Sequence, residues 1–396
     1  MSTLQRFYTT LLSLIGLLLL VAVSLIGCGG GSVSVTDTTL QLSPAWTWSL
    51  PADFPTPKVP ADNPMSEAKV ELGRFLFYDR RLSGNGSMSC ASCHHQDKAF
   101  TDGQAFPRGI TGEMHPRSAQ HLGNAAFNAT LTWANPSLVT LERQMETPLF
   151  GESPVEMGVN DSNKADVLGR IQADAVYTER FAAAFPGETD PLNWGNIVKA
   201  ISAFQRALIT ANSRYDQWLQ GKATLSAAEM RGKDLFFGEK AECFHCHGSF
   251  NFNDQITHAS IRFVETPFHN TGLYNIGGTG AFPEPNTGLF EFTGRAADMG
   301  LFRAPSLRNV EVTGPYMHDG SVATLEDVLD FYAAGGRNIT TGPYAGDGRA
   351  HPNKSDLITL IDLNAQERAD IVAFLKTLTD HEFLTNPRFS NPFTAP

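Results

Sequence analysis

Two pentapeptides of one form constrain this chain more than anything else in it: Cys90-Ala91-Ser92-Cys93-His94 and Cys243-Phe244-His245-Cys246-His247. A thiol pair followed at once by an imidazole is the attachment pattern of a c-type haem, whose vinyl groups take the thiols while the histidine ligates iron. A zinc site or a redox dithiol uses the same cysteine spacing, but neither needs a histidine directly after the second cysteine in both copies. The sequence therefore reads as a carrier of two covalent haems, with His94 and His247 as iron ligands. The neighbouring His95 and His245 read as surface or haem-edge groups. The chain has 5 cysteines, and the one outside these pairs is Cys28.

That fifth cysteine closes an N-terminal pattern. Arg6 precedes an apolar stretch from Leu11 to Ile26, which ends in Leu25-Ile26-Gly27-Cys28. The stretch is short for a spanning helix and its end has the form of a bacterial lipobox. Residues 1–27 then act as a signal peptide, and Cys28 becomes the lipidated first residue of a protein held on the periplasmic side of a membrane. Contact with the membrane is expected only through that lipid. A net charge of −11 with no Lys/Arg run excludes nucleic acid as a partner. At 396 residues, 42% hydrophobic and 18% charged, the chain is long enough and balanced enough for two globular domains.

An internal repeat places those domains. Gly73-Arg74-Phe75-Leu76-Phe77 precedes the first haem motif and Gly232-Lys233-Asp234-Leu235-Phe236 the second. Each lies on a helix-like stretch, with Ala68, Leu72, Phe75 and Leu76 as the apolar face of one and Leu225, Met230, Phe236 and Phe237 as its looser counterpart. Residues 28–60 read as a leash and an extended wrapping segment, 61–220 as the first haem domain and 221–396 as the second. A helix over Asn196 to Gln220, buried through Ile197, Ile201, Phe204 and Leu208 and stopped at Gly221, closes the first domain. In the second, Phe268 to Gly300 reads as loops over a haem edge. Two helices follow, opened by Thr324 with Asp327 and by Asn364 with Glu367, the later one running Ala365 to Leu378. Strand signals are few, so the expected fold is mainly α, with two cytochrome c-like haem domains in tandem and long loops.

The segments Thr132-Trp133, Pro154-Val155-Glu156-Met157 and Phe302 through Gly320 (with Arg303-Ala304-Pro305-Ser306 and Pro315-Tyr316-Met317-His318), taken with the two haem motifs, resemble the bacterial di-haem cytochrome c peroxidase and MauG superfamily. Leu131 to Pro136 and the lipoprotein start are most similar to the MbnH branch, associated with methanobactin gene clusters. The resemblance implies an N-terminal haem that meets hydrogen peroxide, a C-terminal haem that stores or relays an electron, and Trp133 between them. Glu156 then serves as acid/base, with Gln144 and Pro148 shaping the distal pocket. Fourteen residues beyond His318, where ordinary peroxidases of the family carry a methionine ligand, stands Tyr332, as in MauG. The helical series Leu325, Val328, Leu329, Tyr332 independently turns Tyr332 to a buried face. An ordinary hydrogen-bonded core tyrosine is the alternative there, and Met317 and Met299 are the runner-up ligands.

Phenolate ligation stabilises higher oxidation states where a thioether favours the reduced one. The resemblance thus points to oxidation of a residue, tryptophan before tyrosine, on a secreted partner protein through a high-valent di-haem state. The alternatives are a peroxidase fed by a small soluble cytochrome and a simple electron-transfer module. Two departures stand out. Ile110 occupies the count of the family's removable distal histidine, with His115 nearby in the same loop. The family's calcium site, carried over to the carbonyls of Thr313 and Pro315, has Ser118 in place of its asparagine.

Overall fold

The computed structural model describes residues 46–358 and 361–393. Cys28 and the signal segment lie outside the described residues. The helices are α1 (Glu67–Tyr78), α2 (Leu141–Phe150), α3 (Lys164–Gln172), α4 (Ala175–Ala184), α5 (Trp194–Ala207), α6 (Arg214–Leu219), α7 (Ala227–Phe236), α8 (Phe244–His247), α9 (Phe290–Thr293), α10 (Leu325–Ala333), α11 (Ala365–Lys376) and α12 (His381–Thr385). Among the described residues the only strands are β1 (Asn338–Ile339) and β2 (Gly346–Asp347), an antiparallel pair with Asn338 opposite Asp347. The fold is mainly α, with two haem domains and long connections.

The repeat has a steric basis. In the first core α1 lies along α5, and in the second α7 lies along α11. A Cβ on Gly73 would sit 1.9 Å from the Ala200 carbonyl oxygen of α5, and one on Gly232 would sit 1.9 Å from the Asp370 carbonyl oxygen of α11. Each glycine lets two helix backbones touch, and four residues on, Phe77 and Phe236 plug the core beside the contact. The buried face of α1 is Val70, Leu72, Gly73, Leu76 and Phe77. The expected Phe75 is only part-buried, under the Arg180 guanidinium at 3.6 Å, and Phe237 is exposed because α7 ends at Phe236.

The helix expected over Asn196 to Gln220 is two. Ile197, Ile201, Phe204 and Leu208 are all buried, but the backbone leaves the helix after Ala207. Thr210 N–H goes to Asn124 Oδ1 (2.9 Å), and Ala211 and Asn212 N–H go to Asp380 Oδ2 (3.1 and 3.0 Å). Ser213 then opens α6 with a capping box to Asp216. Side-chain acceptors from distant segments outcompete the helical ladder there. The boxes at Thr324 and Asn364 form as expected.

A polar seam joins the two halves. Asn124 Nδ2 donates to Asn251 Oδ1 (3.1 Å), Asn253 Nδ2 to Asn128 Oδ1 (2.9 Å) and Asn309 Nδ2 to Thr210 Oγ1 (3.1 Å). The Arg308 guanidinium pairs with Asp216 at 2.9 and 3.0 Å and caps the Phe250 carbonyl. Phe383 and Phe389, near the chain's end, return to the first core. Such directional bonds set one half against the other in a way apolar contact alone does not.

Candidate active site

Both haem motifs are built alike. His94 Nδ1 meets the Phe100 carbonyl at 2.6 Å and His247 Nδ1 the Phe252 carbonyl at 2.8 Å. Bonded so, each imidazole keeps its lone pair on Nε2, the tautomer an iron ligand needs. Burial lowers the pKa of both and keeps them neutral. Each carbonyl is aimed by a phenylalanine in the left-handed region, Phe100 at φ 65° and Phe252 at φ 53°, a strained choice for a bulky residue. The paired strain was missed in the sequence, where only two Phe residues a few positions past each motif hinted at it. Burial pushes the thiols of Cys90, Cys93 and Cys243 up to about 12. His245 pairs with Glu242 at 2.7 Å, and His95 Nε2 meets the Ser92 carbonyl at 3.2 Å.

The second cradle opens into a large cavity. Cys243, Cys246 and His247 line it together with Leu325, Val328, Leu329 and Tyr332 of α10 and Ile371 and Leu375 of α11. The Tyr332 hydroxyl has no hydrogen bond among the described residues, and burial raises its pKa well above the usual phenol value. Met317 lines the same cavity; Met299 does not. Three buried polar atoms that line this apolar space lack partners: His121 Nδ1, Arg303 Nη1 and His318 Nε2. An apolar slot with an unpaired buried cation fits a haem, whose faces are apolar and whose propionates are anionic. Arg303 is oriented by the Thr132 carbonyl (3.1 Å) and by Gln120. His318 lies flat on Phe302, ring centroids 3.7 Å apart.

Trp133 stands on the wall that this cavity shares with Thr101, the residue after the Phe100 carbonyl that holds His94. Its indole Nε1 donates to the Ser118 carbonyl at 3.0 Å, and its ring meets His318 at 6.5 Å. Ser118, Thr313 and Pro315 line the same cavity. Ser118 Oγ points to the carbonyls of Met317 and His318 (3.3 and 3.4 Å).

The first cradle's far side is made by α2 and the segment after it. Gln144 and Pro148, four apart on α2, share a part-buried face while Met145 and Leu149 enter the core. Met157 N–H returns to the Pro148 carbonyl (2.9 Å), which folds Pro154 to Met157 back over the helix. Ile110 N–H bonds the Glu156 carbonyl (2.9 Å), so the loop from Gly109 to His115 packs on that segment. Glu156 interacts electrostatically with Cys90 and Cys93. Desolvation by the surrounding segments pushes its pKa up to about 7, while the side chain keeps 37% of its surface accessible, as a group that must meet a substrate requires. His115 Nε2 lies 3.6 Å from Glu156 Oε1, and burial lowers the pKa of that imidazole, favouring its neutral form.

Two attachment cradles, one beside a carboxyl whose pKa is raised towards neutrality and one on an apolar cavity, define a di-haem c-type cytochrome. Residues 67–224 match the family model described as di-haem cytochrome c peroxidase. The chain is 36% identical to the cytochrome-c peroxidase IdrP1 of Denitromonas iodatirespirans, over 82% of this chain and 85% of that one. It is 31% identical to the methylamine utilization protein MauG of Methylorubrum extorquens, over 89% of each. A solved MauG-like protein associated with microbial copper homeostasis superposes with a TM-score of 0.88 at 60% identity, covering 88% of this chain and 100% of that one. The chain belongs to the di-haem cytochrome c peroxidase and MauG family and is a haem oxidoreductase that uses peroxide.

Proposed function

We propose that the protein uses hydrogen peroxide to oxidise a residue of a partner protein, tryptophan before tyrosine, as an MbnH-like enzyme. The observation that carries this reading is Tyr332, which lines the cavity of Cys243, Cys246 and His247 with a hydroxyl that makes no hydrogen bond among the described residues. The 60% identity to a MauG-like protein of copper homeostasis supports it, and makes a copper-homeostasis protein the expected partner. Two c-type haems supply the iron that peroxide meets and the oxidising power that follows.

This chain's residues do the rest. His94 and His247 would ligate haem iron through Nε2, and Tyr332 would offer its phenolate oxygen to the second haem, an ionisation that a bound cation favours against the effect of burial. Glu156 accepts the proton of the nearer peroxide oxygen and returns it to the farther one, a task suited to a carboxyl near pH 7. Gln144 and Pro148 shape the recess around it. Trp133 couples the two cradles, and Ser118, Thr313 and Pro315 are the residues that would hold a calcium ion, if one binds. The domains divide near residue 220, and Cys28 carries the lipid that tethers the protein on the periplasmic side. No helix among the described residues is long and apolar enough to cross a membrane.

A second reading, a peroxidase fed by a small cytochrome, draws on the IdrP1 relative and on Met317 in the same cavity. Spectra separate the two. The first predicts a His/Tyr low-spin haem that Tyr332→Phe alters. An iron–sulfur charge-transfer band that Met317→Leu removes would overturn it.

A further inference from the structure

An oxidant held inside this fold needs a path to a partner protein too large to enter the cavity, and the described aromatic residues offer two. The first starts at a small cluster of Leu273, Tyr274, Phe282 and Phe331, against which Phe302 and Tyr332 pack. Leu273, Phe282, Phe302 and Tyr332 themselves line the second cavity, so Tyr274 lies one side chain behind its wall. The Tyr274 hydroxyl donates to Asp319 Oδ2 at 2.7 Å, and the other carboxylate oxygen is held by Ser321 N–H at 3.0 Å. Tyr274 is 7% exposed, while Tyr344, whose ring meets it edge-on at 5.8 Å, is 45% exposed. The second path runs from Phe252 through Tyr215 (5.6 Å) to Trp218 (5.7 Å). No acceptor bonds the Tyr215 hydroxyl among the described residues. Each path has a cation over one ring, Lys233 at 5.7 Å from Trp218 and Arg337 at 4.4 Å from Tyr274, so charge does not separate them. An oxidised phenol is a strong acid and needs a base at hand, and loss of its proton leaves a neutral radical that a neighbouring cation does not oppose. The base, Asp319, selects the first path.

We propose that Tyr274, with Asp319 as its proton acceptor, and Tyr344 at the surface form the exit by which the oxidised di-haem centre draws electrons from a docked protein. The proposal rests on the peroxide-driven reading above. In one pass Tyr274 gives an electron toward the centre and its hydroxyl proton to Asp319, leaving a neutral phenoxyl radical beside a neutral carboxyl. Tyr344 reduces that radical, Asp319 returns the proton, and Tyr344 releases its own proton to water. A phenol or indole of the partner then supplies an electron and a proton to Tyr344. Two passes match the two electrons that convert one hydrogen peroxide, with two protons, into two waters. Tyr344 therefore marks the face on which the partner docks.

The test uses the haem-loaded full chain and peroxide without a partner, followed by a nitroso spin trap and peptide mapping by mass spectrometry. The wild-type adduct is expected on Tyr344. Tyr344→Phe should move it to Tyr274. Tyr274→Phe, and Asp319→Asn, which keeps an acceptor but loses the base, should each lower Tyr344 labelling about tenfold or more. The optical change caused by peroxide should persist in all three variants. Labelling of Trp218 instead, or of Tyr344 undiminished in Tyr274→Phe, with that optical change intact, would overturn the exit and leave the proposed function standing. Absence of the optical change in the wild type would overturn both.

Discussion

Gly73→Ala and Gly232→Ala test whether the two haem domains are held by the same backbone contact. In each case the added methyl lands 1.9 Å from a carbonyl oxygen of the facing helix, Ala200 in α5 or Asp370 in α11, which is 1.5 Å inside the 3.4 Å at which ordinary contact begins. The obstacle is backbone on both sides, so no side chain can swing away, and the helices must part. Overpacking of well-filled cores costs about 1–3 kcal/mol, and a backbone collision belongs at the top of that range or beyond it. Parting α7 from α11 also loosens Ile371 and Leu375 on the wall of the second cavity. Gly169, on the exposed side of α3, is the control, because a Cβ there meets nothing within 4 Å. Gly169→Ala should stabilise by about 0.5–1 kcal/mol through helix propensity alone. Urea unfolding of the haem-loaded protein, followed by far-ultraviolet circular dichroism and by each haem's absorption, gives the comparison. Losses under about 1 kcal/mol at both Gly73 and Gly232 would refute the shared-contact reasoning.

Other expectations follow from single groups. In the proposed mechanism Glu156, its pKa raised to about 7, loses below neutrality the carboxylate that would accept the peroxide proton. The second-order rate with peroxide should rise about tenfold per unit up to pH 7 and then level, while Glu156→Gln should be slow and flat. A carboxyl raised on folding binds protons more tightly folded than unfolded, so it lowers stability as pH rises past the unfolded value, fully so above 7. Glu156→Gln should therefore be more stable than wild type at pH 8 and equal to it at pH 4 in thermal unfolding. Arg308→Met strands the buried Asp216 carboxylate (side chains 2% and 3% exposed in the pair) and should cost about 3–5 kcal/mol. Arg308→Met with Asp216→Asn should recover part of that, and failure to do so would place the loss in packing. Ser118→Asn, if calcium is held there, should tighten calcium binding measured by calorimetry.

Much of this protein is legible along the chain because its chemistry is local. The two attachment motifs each fit within one turn, and the capping boxes at Thr324 and Asn364 need only neighbours three residues on. The i, i+3, i+4, i+7 series that brings Tyr332 to the cavity wall is also complete within α10. Even the Gly73 and Gly232 repeat was visible, although not its cause. What the sequence left undecided depends on partners distant in the chain. The break between α5 and α6 exists because Asn124 and Asp380 take backbone donors that a helix would have kept. The raised pKa of Glu156 and the recess it faces exist only once the loop from Gly109 to His115 and the segment from Pro154 to Met157 pack together.

The sequence by itself determined that two haems are attached and where, because covalent attachment is a property of residue type and short spacing. The tertiary structure decided how the cradles face each other, through Trp133 and the asparagine seam. It also decided which aromatic residues connect the second cavity to the surface at Tyr344. Those are properties of distance and burial, and neither is set until segments far apart in the chain have exchanged water for one another.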